Sequence, residues 1–598
     1  MTKAGLLAVC ATALVFTLPA IGQQGPESLL PPGFGDPPPP PETTRLPTGD
    51  PAVPVGTTPG RPDSSVAGAE ADGHKDKSED EEEEDEEEEE LVIRYDVPPA
   101  ARRSLTAVGI ISPAAGGFPA DAFGRIDGGF LKQALRRTSA PLASRWGMIM
   151  ARRLMASRTE TPSGIDGADW TAERAWLLLR MGDSVVARQL VQQVDADRYS
   201  KRLLQVSMQT FLANGDLSAM CPLSENGVRM VSDGSWKMSR SICASLAGDQ
   251  GNATALLTQG RNQGWVKGVD YLLTEKAVGA GINGRRSVKI EWEDVTGINS
   301  WRFGLSAATG LEAPDRLYSE VGRHIDGWRV QLPMFGAGTR AKTAPGAAAL
   351  GVLSNRDMVD LYAQVLDDPD APDAAKERAE NLALTYTGSD DAARISAMTG
   401  LWDGATPGVD YQGMLVLTAR AAALIRPASD HAAAADRLVA SMMTAGLDRS
   451  AAAWTNIVEK GSLAWALLAV GAPGRHAAVQ FSPLNDFYSN DNSSNGHKSA
   501  LLLAGLAGLG RIDTEAQADF GGDLGVNVTR QTAWSRAISA AADRGESGTV
   551  ALLALAGLQS ADWTLIPANH LYYIVRSLRQ VGLEAEARMI AAEAVTFG

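Results

Sequence analysis

The stretch AERAWLLLRMGDSVVARQLVQQVD, residues 172–195, carries the pattern from which the fold can be read. Ala172, Ala175, Trp176 and Leu179 stand at i, i+3, i+4 and i+7, the spacing that lines one face of a helix. Gly182 follows, a residue that enters the left-handed conformation ending a helix without steric cost, and Asp183 is placed to cap the next helix. Ala187, Leu190, Val191 and Val194 repeat the spacing beyond the turn. Two amphipathic helices joined by a minimal turn are therefore predicted, an αα-hairpin that cannot bury either stripe alone.

The pattern recurs. QTFLANGDLSAMC supplies Gly215 and Asp216, and SICASLAGDQGNATALL supplies Gly248 and Asp249, with Ala253 five residues beyond the glycine. LYYIVRSLRQVGLEAEARMIAAEAV gives Leu571, Ile574, Val575 and Leu578, then Gly582, then Ala587, Ile590, Ala591 and Ala594. Looser copies surround Gly471 and Gly557. Alanine falls five residues past the turn glycine at Ala187, Ala253 and Ala587. A leucine, a glycine and then this alanine is similar to the inner turn of tetratricopeptide repeats, where the small side chain lets two helices approach closely. The resemblance covers about six hairpins between residues 172 and 596; the family's steady period of about 34 residues and its closing proline are not met. What it implies is an all-α fold, an α-solenoid of antiparallel hairpins whose concave surface serves mainly for proteins and peptides.

Before the array the composition changes twice. A short basic start with Lys3 precedes the apolar run AGLLAVCATALVFTL, and Ala20 and Gly22 supply small residues for cleavage near Gly22/Gln23. Residues 1–22 are thus predicted to be an export signal, placing the mature protein in the periplasm or outside the cell, with no transmembrane segment after its removal. Residues 23–90 are rich in proline and end in an unbroken run of carboxylates, Glu79–Glu90. Such a segment cannot bury enough apolar surface to offset its ordering entropy and is predicted to be a disordered, extended tether. The remainder is expected as two helical arrays, residues 91–340 and 341–598, meeting in the glycine-rich stretch 333–351. Val288, Ile290 and Trp292 alternate, which fits a short strand or the lead into a helix. Residues 485–499, NDFYSNDNSSNGHKS, read as a polar loop.

Charge narrows the partners. The whole chain carries −16, and residues 23–90, with 20 acids against four bases, carry −16 by themselves. With Lys3, that leaves 51 acids and 50 bases for residues 91–598. A balanced body lacks the field that nucleic acid would need.

Cleavage of the leader removes Cys10 and leaves Cys221 and Cys243. In an oxidising compartment these read as one disulfide, two buried thiols being the alternative. No local catalytic, metal or cofactor motif is found: GxSxG, a P-loop, HExxH and CxxC are absent. The six histidines, His74, His324, His431, His476, His497 and His570, lack companions at ligand spacing. Some exported peptidoglycan-cleaving transglycosylases join an α-solenoid to a domain using one glutamate in a Glu-Ser pair. Glu546-Ser547 is the nearest match, without that family's continuation. Among the tryptophans, Trp176, Trp454 and Trp465 fall on helical stripes, while Trp301, Trp328 and Trp402 are candidates for exposed, sugar-stacking rings. The expectation is an envelope scaffold or adaptor that binds a protein or peptide. The alternative is an enzyme or glycan binder acting on peptidoglycan or polysaccharide. No oligomeric state is read from the sequence.

Overall fold

A computed structural model describes residues 98, 101–281, 288–474 and 477–598. The predicted leader and tether lie outside the described residues. Within them the regular structure is helical, with 26 α-helices from Gly128–Arg137 to Glu584–Phe597. The only sheet among the described residues pairs Ala107–Val108 with Thr159–Glu160. The fold is all-α, and residues from Arg103 to Gly598 belong to one unit.

The 172–195 stretch forms helices Gly167–Arg180 and Ser184–Val191. Gly182, at φ 84°, lets the chain reverse. Its N–H donates to Leu179 O at 3.0 Å and that of Asp183 to Leu178 O at 2.9 Å, the paired bonds that close a helix on left-handed glycine. The Asp183 carboxylate then accepts from Val186 N at 3.1 Å. The same closure recurs where Asp216 bonds back to Phe211, Asp249 to Ala244 and Leu583 to Leu578. Ala187, Ala253 and Ala587 are fully buried. Two turns not read from sequence close identically at Gly446 and Gly545, with buried Ala451 and Val550 five residues on.

Gly471 and Gly557 depart from expectation. Each is the last residue of a helix, Leu463–Gly471 and Ser547–Gly557, and neither is left-handed. They make room for neighbours instead: a Cβ on Gly471 would lie 2.8 Å from Met443 Cε, and one on Gly557 would lie 2.5 Å from Trp534 Cζ2.

The glycine- and alanine-rich stretch 333–351 contains helix Ala337–Ala349, nearly all of it buried, so position 340 falls inside a helix. Its small residues allow close approach; Gly413 of helix Val409–Leu424 packs directly on Pro345. Residues 485–499 are also more ordered than a polar loop. Leu484 and Phe487 are buried one helical turn apart, extending helix Phe481–Ser489 to the short turn before helix His497–Leu509. Residues 288–292 form neither strand nor helix.

Two junctions organise the packing. At the first, the turn at Gly182 docks on helix His324–Val330. Trp328 Nε1 donates to Leu179 O at 3.0 Å, Gln331 Nε2 donates to Gly182 O at 2.9 Å, and Gln331 Oε1 accepts from Val185 N at 3.1 Å. His324 is buried beside Trp328, and burial together with the nearby Arg180 charge lowers its pKa to about 4. At the second, a disulfide joins Cys221 to Cys243, with Cα atoms 5.4 Å apart, as the two-cysteine reading expected. It ties the segment Ser218–Leu223 to helix Gly234–Leu246, which pairs with helix Gln250–Gln263 through the turn at Gly248.

The last helix, Glu584–Phe597, packs on helices Arg145–Ala156, Ala435–Thr444, Leu463–Gly471 and His497–Leu509. Contact between residues near 150 and near 590 goes beyond the neighbour-to-neighbour packing of a simple linear array.

Candidate functional site

A groove of about 890 Å³ opens between two helix starts. One wall is the start of helix Ala337–Ala349, presenting Gly338, Thr339, Ala341 and Lys342; the facing wall is the start of helix Asp373–Thr387, presenting Ala374, Ala375 and Arg378. Tyr362 of helix Asn355–Asp367 is buried at its floor, and residues 312–315 close one side. Local sequence explains the rim. In DDPDAP, residues 367–372, Pro369 forces Asp368 out of helical conformation and ends one helix, and Pro372 opens the next. The rim is thus held by two fixed φ angles rather than by side-chain caps.

Charges around the groove are unequally satisfied. Glu312 accepts from Arg329 at 2.7 Å and from Thr339 Oγ1 at 2.9 Å. Asp315 pairs with Lys342, whose ammonium holds its carboxyl below the usual range. Arg378 lies 3.4 Å from Asp410 and shares a hydrogen bond with Tyr362, whose phenol burial pushes up. Asp368 and Asp370 have no ion-pair partner among the described residues; Asp368 Oδ1 accepts only the Asp370 N–H, at 3.0 Å. Nearby Lys376 donates instead to Pro369 O at 2.8 Å. The groove therefore combines apolar small-residue walls with two uncompensated carboxylates.

Other buried charges are engaged structurally. Glu593 accepts from Ser144 Oγ at 2.5 Å, Arg145 N at 2.7 Å, Trp146 N at 3.2 Å and Gln412 Nε2 at 3.1 Å, capping helix Arg145–Ala156 from the far end of the chain. Burial pushes its carboxyl above the ordinary range, and these donors oppose that rise. The Arg145 guanidinium donates to Ala348 O, Thr444 O and Leu353 O. Arg174 is likewise buried against carbonyls, those of Met155, Val108 and Ser157.

The residues singled out by sequence do not converge on one site. Gly182, Gly215, Gly248 and Gly582 are turn residues at separate hairpins, Ala187, Ala253 and Ala587 are packing residues, and Cys221 and Cys243 form the disulfide. Trp301, Trp328 and Trp402 are buried, so none offers a ring face for a sugar; Trp454 is buried as well, and Trp176 and Trp465 are partly so. Glu546 is buried, Arg544 takes both its oxygens at 2.7 and 2.8 Å, and Gly124 packs on its side chain. His497 bonds to Trp563 O at 3.1 Å, His570 lies against Trp534, and His431 lies 4.0 Å from Asp391; His74 and His476 are outside the described residues. Among the described residues no three His, Cys, Asp or Glu side chains gather to hold a metal ion, and no helix is long and apolar enough to cross a membrane.

The groove itself was missed by sequence reading. Its residues are scattered from 312 to 378, and only the proline-punctuated acidic stretch could have drawn attention. No family model matches the chain, and no curated protein matches it.

Proposed function

We propose that the chain is an exported, non-enzymatic scaffold of a bacterial-type cell envelope, periplasmic or secreted. Its hairpins stack as a tetratricopeptide-like α-solenoid, residues 23–90 act as its tether, and it grips a protein or peptide partner. The observation that carries this reading is the groove of about 890 Å³ between the starts of two nearby helices, at the upper end of the range that ligand sites occupy. The repeated glycine closure, with a buried small residue five positions on, supports the solenoid kinship. The leader-like start and the Cys221–Cys243 bond support export to an oxidising compartment.

The test is photo-crosslinking in intact cells, with a crosslinking residue placed along the groove and, separately, on other faces of residues 103–598. A discrete partner polypeptide joined to the array is the expected result. Cleavage of peptidoglycan or polysaccharide by the purified protein, or its strong retention on either, would overturn the scaffold reading in favour of an envelope enzyme or glycan binder. Mass spectrometry of the exported protein should find an N-terminus at Gln23.

A further inference from the structure

The geometry points to the groove between Gly338 and Ala375 as the seat of a basic extended peptide, a partner segment whose lysine or arginine side chains reach Asp368 and Asp370. This inference rests on the scaffold reading and gives its partner a chemistry.

Three observations carry it. First, the walls are built from residues too small to fill the space, Gly338, Ala341, Ala374 and Ala375, which leaves room for the methylene stem of a long side chain. Lysine and arginine bury such stems along apolar surface while their charged ends stay at a polar rim. Second, the rim charge is one-sided. Glu312, Asp315 and Arg378 are each matched by an opposite charge, and what remains is the pair Asp368 and Asp370, with no cation within 4 Å of either carboxylate among the described residues; the nearby Lys376 ammonium is held by Pro369 O. An acidic ligand would meet that pair unshielded, and a purely apolar one would leave it unused. Third, Pro369 and Pro372 fix the rim in advance, so an incoming chain need not order it.

The experiment uses the full exported chain and a fluorescein-labelled alternating arginine–alanine peptide carrying a benzophenone. The acidic run Glu79–Glu90 attracts any polycation, so the decisive quantity is the difference between chains that share it. The double variant Asp368→Asn with Asp370→Asn is expected to bind at least tenfold more weakly by anisotropy. Ala375→Trp, which fills the groove, should do the same, and photolabel in the parent should map to the walls around Tyr362 and Ala375. Binding should weaken with added salt, since rim charges are screened over about 10 Å at 0.1 M. Equal affinity of the Asn variant and the parent overturns the inference, as does equal binding of a glutamate–alanine peptide or label confined to residues 79–90. The Asn substitutions lie on a surface loop, so they decide the matter even if Ala375→Trp fails to fold. If the Asn variant binds like the parent while crosslinks to a partner polypeptide persist in cells, the groove assignment falls and the scaffold reading stands. If groove-dependent peptide binding is found but no polypeptide is crosslinked at any face, the scaffold reading falls alone.

Discussion

Two hairpins with the same turn are secured in opposite ways. Around Gly182 the turn is pressed into the next part of the fold: a Cβ there would lie 3.0 Å from His324 O and 3.2 Å from Leu350 Cδ1, and three side-chain hydrogen bonds from Trp328 and Gln331 clasp it. Around Gly248 the turn is open, with nothing within 4 Å of an added Cβ, and helix Gln250–Gln263 buries only Ala253, Leu256, Leu257 and Gly260. That second hairpin is the one joined to the covalent bond between Cys221 and Cys243. One local motif serves both places, and its neighbours decide whether packing or a crosslink holds it.

The comparison can be broken most sharply at Gly327. A Cβ there points at the Gly182 carbonyl and Cα, backbone that cannot swing aside. Gly327→Ala should cost more than about 3 kcal/mol, read as a lower urea midpoint. A midpoint equal to the parent's would show that the first turn is not clasped as described. Replacing both cysteines by serine opens a loop of 22 residues and should cost about 3 kcal/mol. Faster hydrogen exchange should then be confined to residues around 218–263; loss of protection around 182 would erase the distinction between the two hairpins.

Acid sharpens the contrast further. His324 is lowered to about 4 in the folded protein against 6.5 ordinarily. A lowered folded value means the contribution is fully present above pH 6.5 and is lost as pH falls toward 4, reaching about 2 kcal/mol by pH 5. His324→Leu should flatten that part of the melting-temperature profile. A parallel slope in parent and variant would remove His324 from the account. The smallest effect is expected at the open turn: Gly248→Ala meets only the left-handed backbone penalty, about 1 kcal/mol. Gly182→Ala should cost more than Gly248→Ala in the same melt, and equal losses would contradict the close contact at His324.

What could be read from the sequence was what is local. The glycine–aspartate pair after an apolar stripe specified turn and cap at Gly182 and Gly248 because the donor, the acceptor and the left-handed residue all lie within a few positions. The same glycine signal failed at Gly471 and Gly557, where the residue is small because Met443 and Trp534 arrive from elsewhere. At 333–351 alanine, glycine and proline read as a joint; the stretch holds helix Ala337–Ala349, whose lack of bulk allows it to be surrounded. Leu484 and Phe487 stand three residues apart, an apolar helical pair inside an otherwise polar stretch. The groove could not be read, since it depends on how residues 312–315 come to lie beside two later helices. Gly446 and Gly545 carry a comparable local signal, with apolar Ala451 and Val550 five residues on.

The cap that Glu593 places on Ser144, Arg145 and Trp146 reaches back across 449 residues. A ribosome adds roughly 5–20 residues per second, so the first turn of helix Arg145–Ala156 is made on the order of 20–90 s before the carboxylate that completes it. Throughout that interval Ser144 and the two backbone donors lack the carboxylate that caps them in the folded unit. Helix Arg145–Ala156 is therefore among the earliest parts synthesised and among the last to be finished, and completion of the unit waits on its final turns.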